Sequence, residues 1–163
     1  MSLPKTLQMG ILGCGDFLRW MAPGIKASQN VAVKWLFDPA RDRAERYAAE
    51  LGGQPVDSAE AVFADPAVDI VCLFVPPWLR TDLWIQAAQA GKHILATKPL
   101  APNAADCERI GALGEQTRAG VLYGRSGDRW PVALKRLLDS GEIGRLALYR
   151  QDWLHHYPQW NTW

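Results

Sequence analysis

The sequence lacks an excess of charge of either sign and lacks any long apolar run. Its 18 Lys and Arg residues are nearly balanced by 17 Asp and Glu, which leaves a formal net charge of +1. Binding to a phosphate backbone requires a clustered positive field, so nucleic acid is not an expected partner. No apolar run approaches the roughly 18 residues of a membrane span, so no membrane partner is expected. The opening MSLPKTLQMG has no basic segment followed by an apolar core, which favours a cytoplasmic protein.

Cysteine is scarce as well. Cys14, Cys72 and Cys107 are an odd number without C-x-x-C spacing, so neither a disulfide framework nor a metal site is expected. There is no internal repeat and no low-complexity linker. At 163 residues the chain is long enough for one well-buried domain but too short for two.

The sequence does contain an alternation of strand-like and helix-like segments. LQMGIL, VAVKWLF and DIVCLFV are near-continuous apolar runs, and HILAT is a shorter one. Such runs are typical of parallel strands covered on both faces. Helical patterns over 40–51, 82–90 and 103–118 lie between and after them. This order predicts an α/β fold, a doubly wound parallel sheet of the Rossmann NAD(P)-binding type.

The strongest motif is ILGCGDFL, which follows the first predicted strand and precedes a helix. Gly13 and Gly15 would let the backbone turn tightly and approach a pyrophosphate, and the amides near Asp16 and Phe17 would point at its oxygens. Leu18 takes the third small position of the G-x-G-x-x-G pattern, which is a departure. The motif predicts a dinucleotide site, and the alternative is an ordinary strand-to-helix turn.

Asp38 ends the second predicted strand, 23 residues after Gly15. A carboxylate about 20 residues after the glycines is typical of the group that binds the adenosine ribose. A 2′-phosphate 4 Å away would be repelled by about 4 kcal/mol at an effective dielectric near 20, which favours NAD over NADP. Arg41 and Arg43 follow closely and could pair with such a phosphate, so NADP stays possible.

The pattern changes after Tyr123. An amphipathic helix is predicted over 132–139, and LALYRQDWL alternates like a strand without an obvious partner. We therefore divide the chain into a Rossmann domain, 1–124, and a connecting helix with the first strand of an incomplete α+β substrate domain, 125–163. Because the tryptophan-rich end would expose apolar surface, we expect a homo-oligomer.

A longer stretch, FVPPWLRTDLWIQAAQAGKHILATKPLAPNAADCERI, resembles the glucose-fructose oxidoreductase and inositol dehydrogenase family (Gfo/Idh/MocA). That family carries T-P-N-x-x-H, then A-L-x-A-G-K-H-V, then E-K-P-L-A. AGKHILATKPLA matches in register, and the resemblance runs from the glycine loop through SGEIGRL. It implies a two-domain enzyme that uses NAD or NADP to oxidise or reduce a carbinol carbon of sugars, inositols or related polyols.

The resemblance also implies roles for individual residues. Lys98 and Pro99 stand in E-K-P, and the family's lysine reaches the substrate hydroxyl and the nicotinamide. An ammonium there would stabilise the developing alkoxide, which makes Lys98 the expected catalytic residue. The residues expected to line the nicotinamide side are Val75, Pro76, Arg80, Thr97 and Lys98.

Three positions depart from the motifs: Thr97 replaces the Glu, Pro77 the Asn and Arg80 the His. These changes are compatible with a changed substrate, a changed cofactor pose or a member without catalysis. The family's G-G-x-x-x-D-x-G-x-H segment is absent, and the adjacent His155 and His156 would face opposite sides of a strand.

The leading prediction is therefore the cofactor-binding portion of an NAD(P)-dependent oxidoreductase that is inactive as 163 residues alone. One alternative is a stand-alone dinucleotide-binding or redox-sensing module, and another is a structural remnant that binds nothing.

Overall fold

The computed structural model describes residues 6–114, 117–123 and 129–152. The chain divides into two compact units, residues 1–124 and residues 125–163. The first unit holds the sheet and five of the six described helices, and the second holds the sixth helix. None of the helices in the described residues is long and apolar enough to cross a membrane.

The first unit is built on one parallel sheet of six strands in the order β3-β2-β1-β4-β5-β6. The two central strands, β1 and β4, contain the apolar runs expected of strands buried on both faces. In register, Ile11 of β1 lies between Leu36 of β2 and Cys72 of β4. The strands are β1 Leu7–Leu12, β2 Val31–Phe37, β3 Gln54–Pro55, β4 Ile70–Leu73, β5 His93–Thr97 and β6 Ala119–Leu122.

The helices begin and end at recognisable capping residues. The side chain of Ser58 accepts a hydrogen bond from the Ala61 amide at 3.3 Å, and that of Asn103 accepts one from the Asp106 amide at 2.9 Å. Gly52 ends a helix with a φ of 83°, a left-handed conformation that glycine adopts at little cost. The helices are α1 Asp16–Ala27, α2 Arg41–Leu51, α3 Ala59–Ala64, α4 Pro77–Gln89, α5 Ala104–Gly111 and α6 Arg129–Ser140.

Two apolar clusters cover the two faces of the sheet. Successive strand residues point to opposite faces, so Leu12 joins the cluster with α3, α4 and α5, whereas Ile11 joins the cluster with α1 and α2. Both side chains are fully buried, as is Leu36. Each such side chain contributes roughly 1.5–3 kcal/mol relative to an exposed one.

The predicted fold class is confirmed, and three of the predicted strands have the bounds that their apolar runs indicated. β4 is shorter than DIVCLFV, α4 begins earlier than the predicted 82–90 helix, and α5 ends at Gly111 rather than at 118. The short elements β3, α3 and β6 were not predicted.

The predicted strand over LALYRQDWL is wrong for the part that the structure describes. Residues 146–152 have no strand structure, and Leu148 is 84% exposed. A strand needs a hydrogen-bonding neighbour, and the described residues of the second unit supply only α6. Residues 153 and 154, together with His155 and His156, lie outside the described residues.

Candidate cofactor site

The candidate site lies at the carboxyl ends of the central strands, where the chain reverses its direction along the sheet. From β1 the chain proceeds through β2 to β3 at one edge, and it then returns to β4 on the other side of β1. The helices that follow β1 and β4, α1 and α4, therefore pack on opposite faces of the sheet, and such a switch point is where open α/β sheets have a crevice. In open α/β sheets, ligands bind in such a crevice.

Gly13 is required by the close approach of two loops at this crevice. Its φ is 93°, and a Cβ atom on it would lie 2.5 Å from the carbonyl oxygen of Phe74. Its amide donates a hydrogen bond to the Phe37 carbonyl at 2.9 Å, and the Phe74 amide donates one to the Leu12 carbonyl at 2.9 Å. The glycine loop is thereby bonded to the ends of both neighbouring strands.

Gly15, unlike Gly13, lies beside open space. No heavy atom lies within 4 Å of the position that its Cβ would take, and its backbone is extended. As the N-cap of α1, it has no side chain to accept hydrogen bonds from the amides of the first turn. The open space in front of α1 therefore faces uncapped amide donors, which is an arrangement suited to a phosphate.

Phe17 and Asp16 occupy the first turn of α1 in different ways. The Phe17 ring packs edge-on against that of Phe74, with centroids 5.1 Å apart, so it anchors the helix to the loop after β4. Asp16 is exposed. Leu18, which departs from the glycine pattern, is fully buried in the cluster beneath α1. The position that the glycine pattern assigns to a third small residue is thus occupied by a side chain that packs in the core.

Asp38 lies directly after β2 and braces the glycine loop. One carboxylate oxygen accepts from the Cys14 amide at 2.8 Å, and the other accepts from the Ala40 amide at 2.9 Å. A carboxylate oxygen has two lone pairs, so each can accept a further hydrogen bond from a ribose hydroxyl. The sequence predicts Asp38 as a ligand-binding residue, and it gives no sign of this bracing role.

Cys14 lies inside the glycine loop but contributes no nucleophile. Its side chain is fully buried. Burial, assisted by the charge of Asp38, raises the pKa of the Cys14 thiol to about 12. The thiol is therefore protonated at neutral pH and unreactive. Among the described residues there is also no cluster of three side chains able to hold a metal ion.

The residues expected on the nicotinamide side lie at the ends of β4 and β5. Val75 and Pro76 connect β4 to α4, and Thr97 ends β5. Lys98 and Pro99 follow Thr97 and are both exposed, joined by a cis peptide bond. The side chain of Lys98 is therefore accessible at the carboxyl end of β5, the strand next to β4.

Arg80, which the motif comparison predicted to line the nicotinamide side, is almost completely buried. It lies in the first part of α4, is only 1% exposed, and donates hydrogen bonds to groups at both strand ends. A side chain so enclosed is a support beneath the site rather than a direct contact at its surface. The signal for this was in the sequence, because Arg80 faces inward with Thr81, Trp84 and Ala87 on one side of a helix.

These features together define a Rossmann-type dinucleotide-binding domain. The parallel sheet has the strand order typical of this class, and the glycine loop, the uncapped helix and the carboxylate after β2 meet at its switch point.

Comparison with known proteins places the domain in a family. Residues 7–124 match the model of the Gfo/Idh/MocA oxidoreductase family, described as an NAD-binding Rossmann fold. The chain belongs to this family, as its motifs predicted. Dinucleotide binding of the NAD(P) type is accordingly the property of this domain.

The similar proteins act on cyclic polyols and nucleotide sugars. A dTDP-3,4-didehydro-2,6-dideoxy-alpha-D-glucose 3-reductase of Saccharopolyspora spinosa is 35% identical over 87% of this chain and 44% of its own length. Inositol 2-dehydrogenase 1 of Saccharopolyspora erythraea is 36% identical over 85% of this chain and 43% of its own length. The chain thus spans less than half the length of these relatives.

Solved structures agree with the fold. KijD10, a 3-ketoreductase from Actinomadura kijaniata in complex with NADP, superposes with a TM-score of 0.77 at 28% identity. The superposition covers 87% of this chain and 46% of KijD10.

Proposed function

We propose that this chain is the cofactor-binding portion of an NAD(P)-dependent oxidoreductase that interconverts a carbinol and a carbonyl group on a sugar, inositol or related polyol. The observation that carries the proposal is the open space in front of Gly15, which faces the uncapped amides of α1. A pyrophosphate fits this space because it brings negative charge and acceptor oxygens to a helix N-terminus. The family membership and the named activities of the relatives support the same function.

Lys98 is the proposed catalytic residue. A bound nicotinamide would supply the hydride donor or acceptor. The Lys98 ammonium, exposed after β5, would stabilise the charge that develops on the substrate oxygen and would donate or accept the proton there. Lys98→Ala should therefore leave NADH affinity nearly unchanged, because the ammonium acts on the substrate oxygen.

We also propose that the site prefers NAD to NADP, because Asp38 lies where a 2′-phosphate would approach. Arg41 is already paired with Glu45 at 3.0 Å and with Asp57, so its guanidinium is directed along α2. Arg43 is exposed, and its charge acts on Cys14 beside Asp38, so Arg43 is an arginine that could approach a 2′-phosphate. KijD10 binds NADP, so Asp38 and Arg43 are the residues to compare with it.

Titration of the chain with NADH tests the proposal directly. Binding is expected as an enhancement of nicotinamide fluorescence and as a rise in melting temperature with NADH concentration. These 163 residues span less than half the length of the relatives that they match. Because positioning of the carbinol carbon supplies roughly 7–11 kcal/mol of barrier lowering, we expect no turnover with sugars or inositols by these residues alone. A folded chain that binds neither NADH nor NADPH would contradict the proposed function.

The homo-oligomer expected from the sequence stays a prediction. In the second unit, α6 has no buried residue, and large apolar side chains are exposed at Ile143, Leu146 and Tyr149. Contact between chains would cover such surface. Light scattering at several protein concentrations measures this, and a monomer at every concentration would contradict it.

A further inference from the structure

Arg80 is a buried cation that holds two strand ends together. One terminal nitrogen donates to the Thr97 carbonyl at 2.8 Å and also to the Pro99 carbonyl. The other donates to the Val75 carbonyl at 2.6 Å and to the Thr97 hydroxyl at 2.7 Å. The guanidinium therefore lies between the loop after β4 and the segment after β5 that carries Lys98.

No carboxylate of the residues that the structure describes pairs with this charge. Every acceptor of Arg80 is a carbonyl or hydroxyl oxygen, and Arg80 takes part in none of the ion pairs among the described residues. Burial lowers the pKa of the guanidinium, but arginine stays protonated in proteins. Neutral acceptors screen a buried charge only in part, so a positive potential remains at the ends of β4 and β5.

This position corresponds to the nicotinamide half of the proposed cofactor site. Asp38, the proposed ribose ligand, follows β2 on one side of β1, whereas Arg80 bridges β4 and β5 on the other side. A dinucleotide lies across the switch point, with one half on each side. The adenosine half then lies at β2, and the nicotinamide half lies over the strand ends that Arg80 joins.

We propose that Arg80 is a specificity-determining residue whose fixed charge makes this site favour NADH over NAD⁺. The two cofactors share the same adenosine and phosphates and differ by one positive charge on the nicotinamide ring. A cation in a partly dehydrated site repels the charged ring and leaves the neutral ring unaffected. This inference rests on the proposed function.

The departures from the family motifs also support a positive potential at the nicotinamide side of the site. Arg80 stands where T-P-N-x-x-H has a histidine, and Thr97 stands where E-K-P has a glutamate. The chain has therefore gained a permanent cation and lost a carboxylate at two positions whose side chains are in contact at 2.7 Å. Compared with the motif residues, both side chains make the net charge at the ends of β4 and β5 more positive.

The test is the ratio of the NAD⁺ and NADH dissociation constants, measured by calorimetric titration of the 163-residue chain. In Arg80→Met this ratio should fall on the order of tenfold, the size of one like-charge interaction in a partly buried site. Loosening of the strand ends would weaken both cofactors in the same proportion and would leave the ratio unchanged. The ratio therefore separates the charge of Arg80 from its structural role.

Three further variants make the result decisive. Arg80→Lys keeps the charge and should keep the ratio, and Arg109→Gln removes an exposed charge from α5 as a control and should also keep it. If Arg80→Met does not fold, the double variant Arg80→His with Thr97→Glu restores the motif residues and should lower the ratio. An unchanged ratio in Arg80→Met or, in its place, in the double variant would overturn the inference. If the ratio of dissociation constants falls as much in Arg80→Lys as in Arg80→Met, the inference is also overturned. If the unaltered chain binds neither cofactor, the proposed function itself fails.

Discussion

Replacing Gly15 with valine is expected to remove dinucleotide binding while the fold is retained. The added side chain meets no protein atom, since the Cβ position has no neighbour within 4 Å, and the extended backbone at this residue suits a β-branched side chain. Valine is a poorer helix N-cap than glycine, so the free energy of unfolding should fall by about 1 kcal/mol, which a folded domain tolerates. The same side chain would fill the space in front of the first turn of α1.

The expected loss of affinity follows from the donors that valine would block. A pyrophosphate in front of α1 would accept hydrogen bonds from the amides of Asp16 and Phe17. A hydrogen bond to a charged group contributes about 1.5–3 kcal/mol, so the loss of two corresponds to about 3–6 kcal/mol. The dissociation constant for NADH should rise roughly 100- to 10,000-fold, measured by calorimetric titration.

Two glycines of the same region provide the controls. Gly24, which is exposed in α1 with no atom near its Cβ position, should accept valine without loss of NADH affinity. Gly13→Val should instead destabilise the fold by about 2–5 kcal/mol, because it combines a positive φ with a clash against the Phe74 carbonyl. Unchanged NADH affinity in folded Gly15→Val would refute the assignment of the glycine loop to pyrophosphate binding.

The remaining predictions concern cofactor choice, core packing and pH. NADH should bind more tightly than NADPH, and Asp38→Ser should narrow or reverse that difference in affinity. The substitution also removes the hydrogen bonds to the Cys14 and Ala40 amides, so it should weaken the binding of both cofactors. Tighter binding of NADPH than of NADH by the unaltered chain would contradict this prediction. Gly10→Ala should lower the free energy of unfolding by about 1–3 kcal/mol in urea, because the added Cβ would overlap a methyl group of Val62. In the double variant with Val62→Ala, part of this loss should be recovered. If the losses of the two single variants simply add in the double variant, the two side chains do not clash. Asp65→Asn should lower stability at pH 7, since the hydrogen-bonded ion pair with Lys34 at 2.6 Å holds the folded-state pKa of Asp65 at about 2. A depressed carboxyl pKa stabilises above the unfolded value of about 3.9, so the gap between the two proteins should be constant above about pH 5 and should close as the pH falls toward 2. A gap independent of pH would show that packing, and not charge, is lost.

The sequence by itself determined the features that depend on local pattern. The bounds of β1, β2 and β5 follow from near-continuous apolar runs, because a parallel strand covered on both faces has few polar positions. Gly13, which needs a positive φ, was identified from its place between a strand and a helix. The position of Asp38 directly after β2, beside the glycine loop, was predicted from its distance along the chain, and its role toward a ribose stays a prediction. Each of these signals lies within a few residues or at a fixed spacing.

The tertiary structure alone decided which distant groups meet. β3 has two residues and β6 has four, too few for an apolar pattern, and both are stabilised by pairing with longer neighbours. The segment LALYRQDWL has the strand pattern without such a neighbour, so its described part forms no strand. The helical pattern indicates that Arg80 is buried, but it does not indicate which groups accept its hydrogen bonds. Two of the acceptors lie 17 and 19 residues away in the chain, and they come together only when β4 and β5 pair. Which groups hydrogen-bond to each other depends on the folded structure, whereas the pattern of apolar residues along the sequence indicates only how much of each segment must be buried.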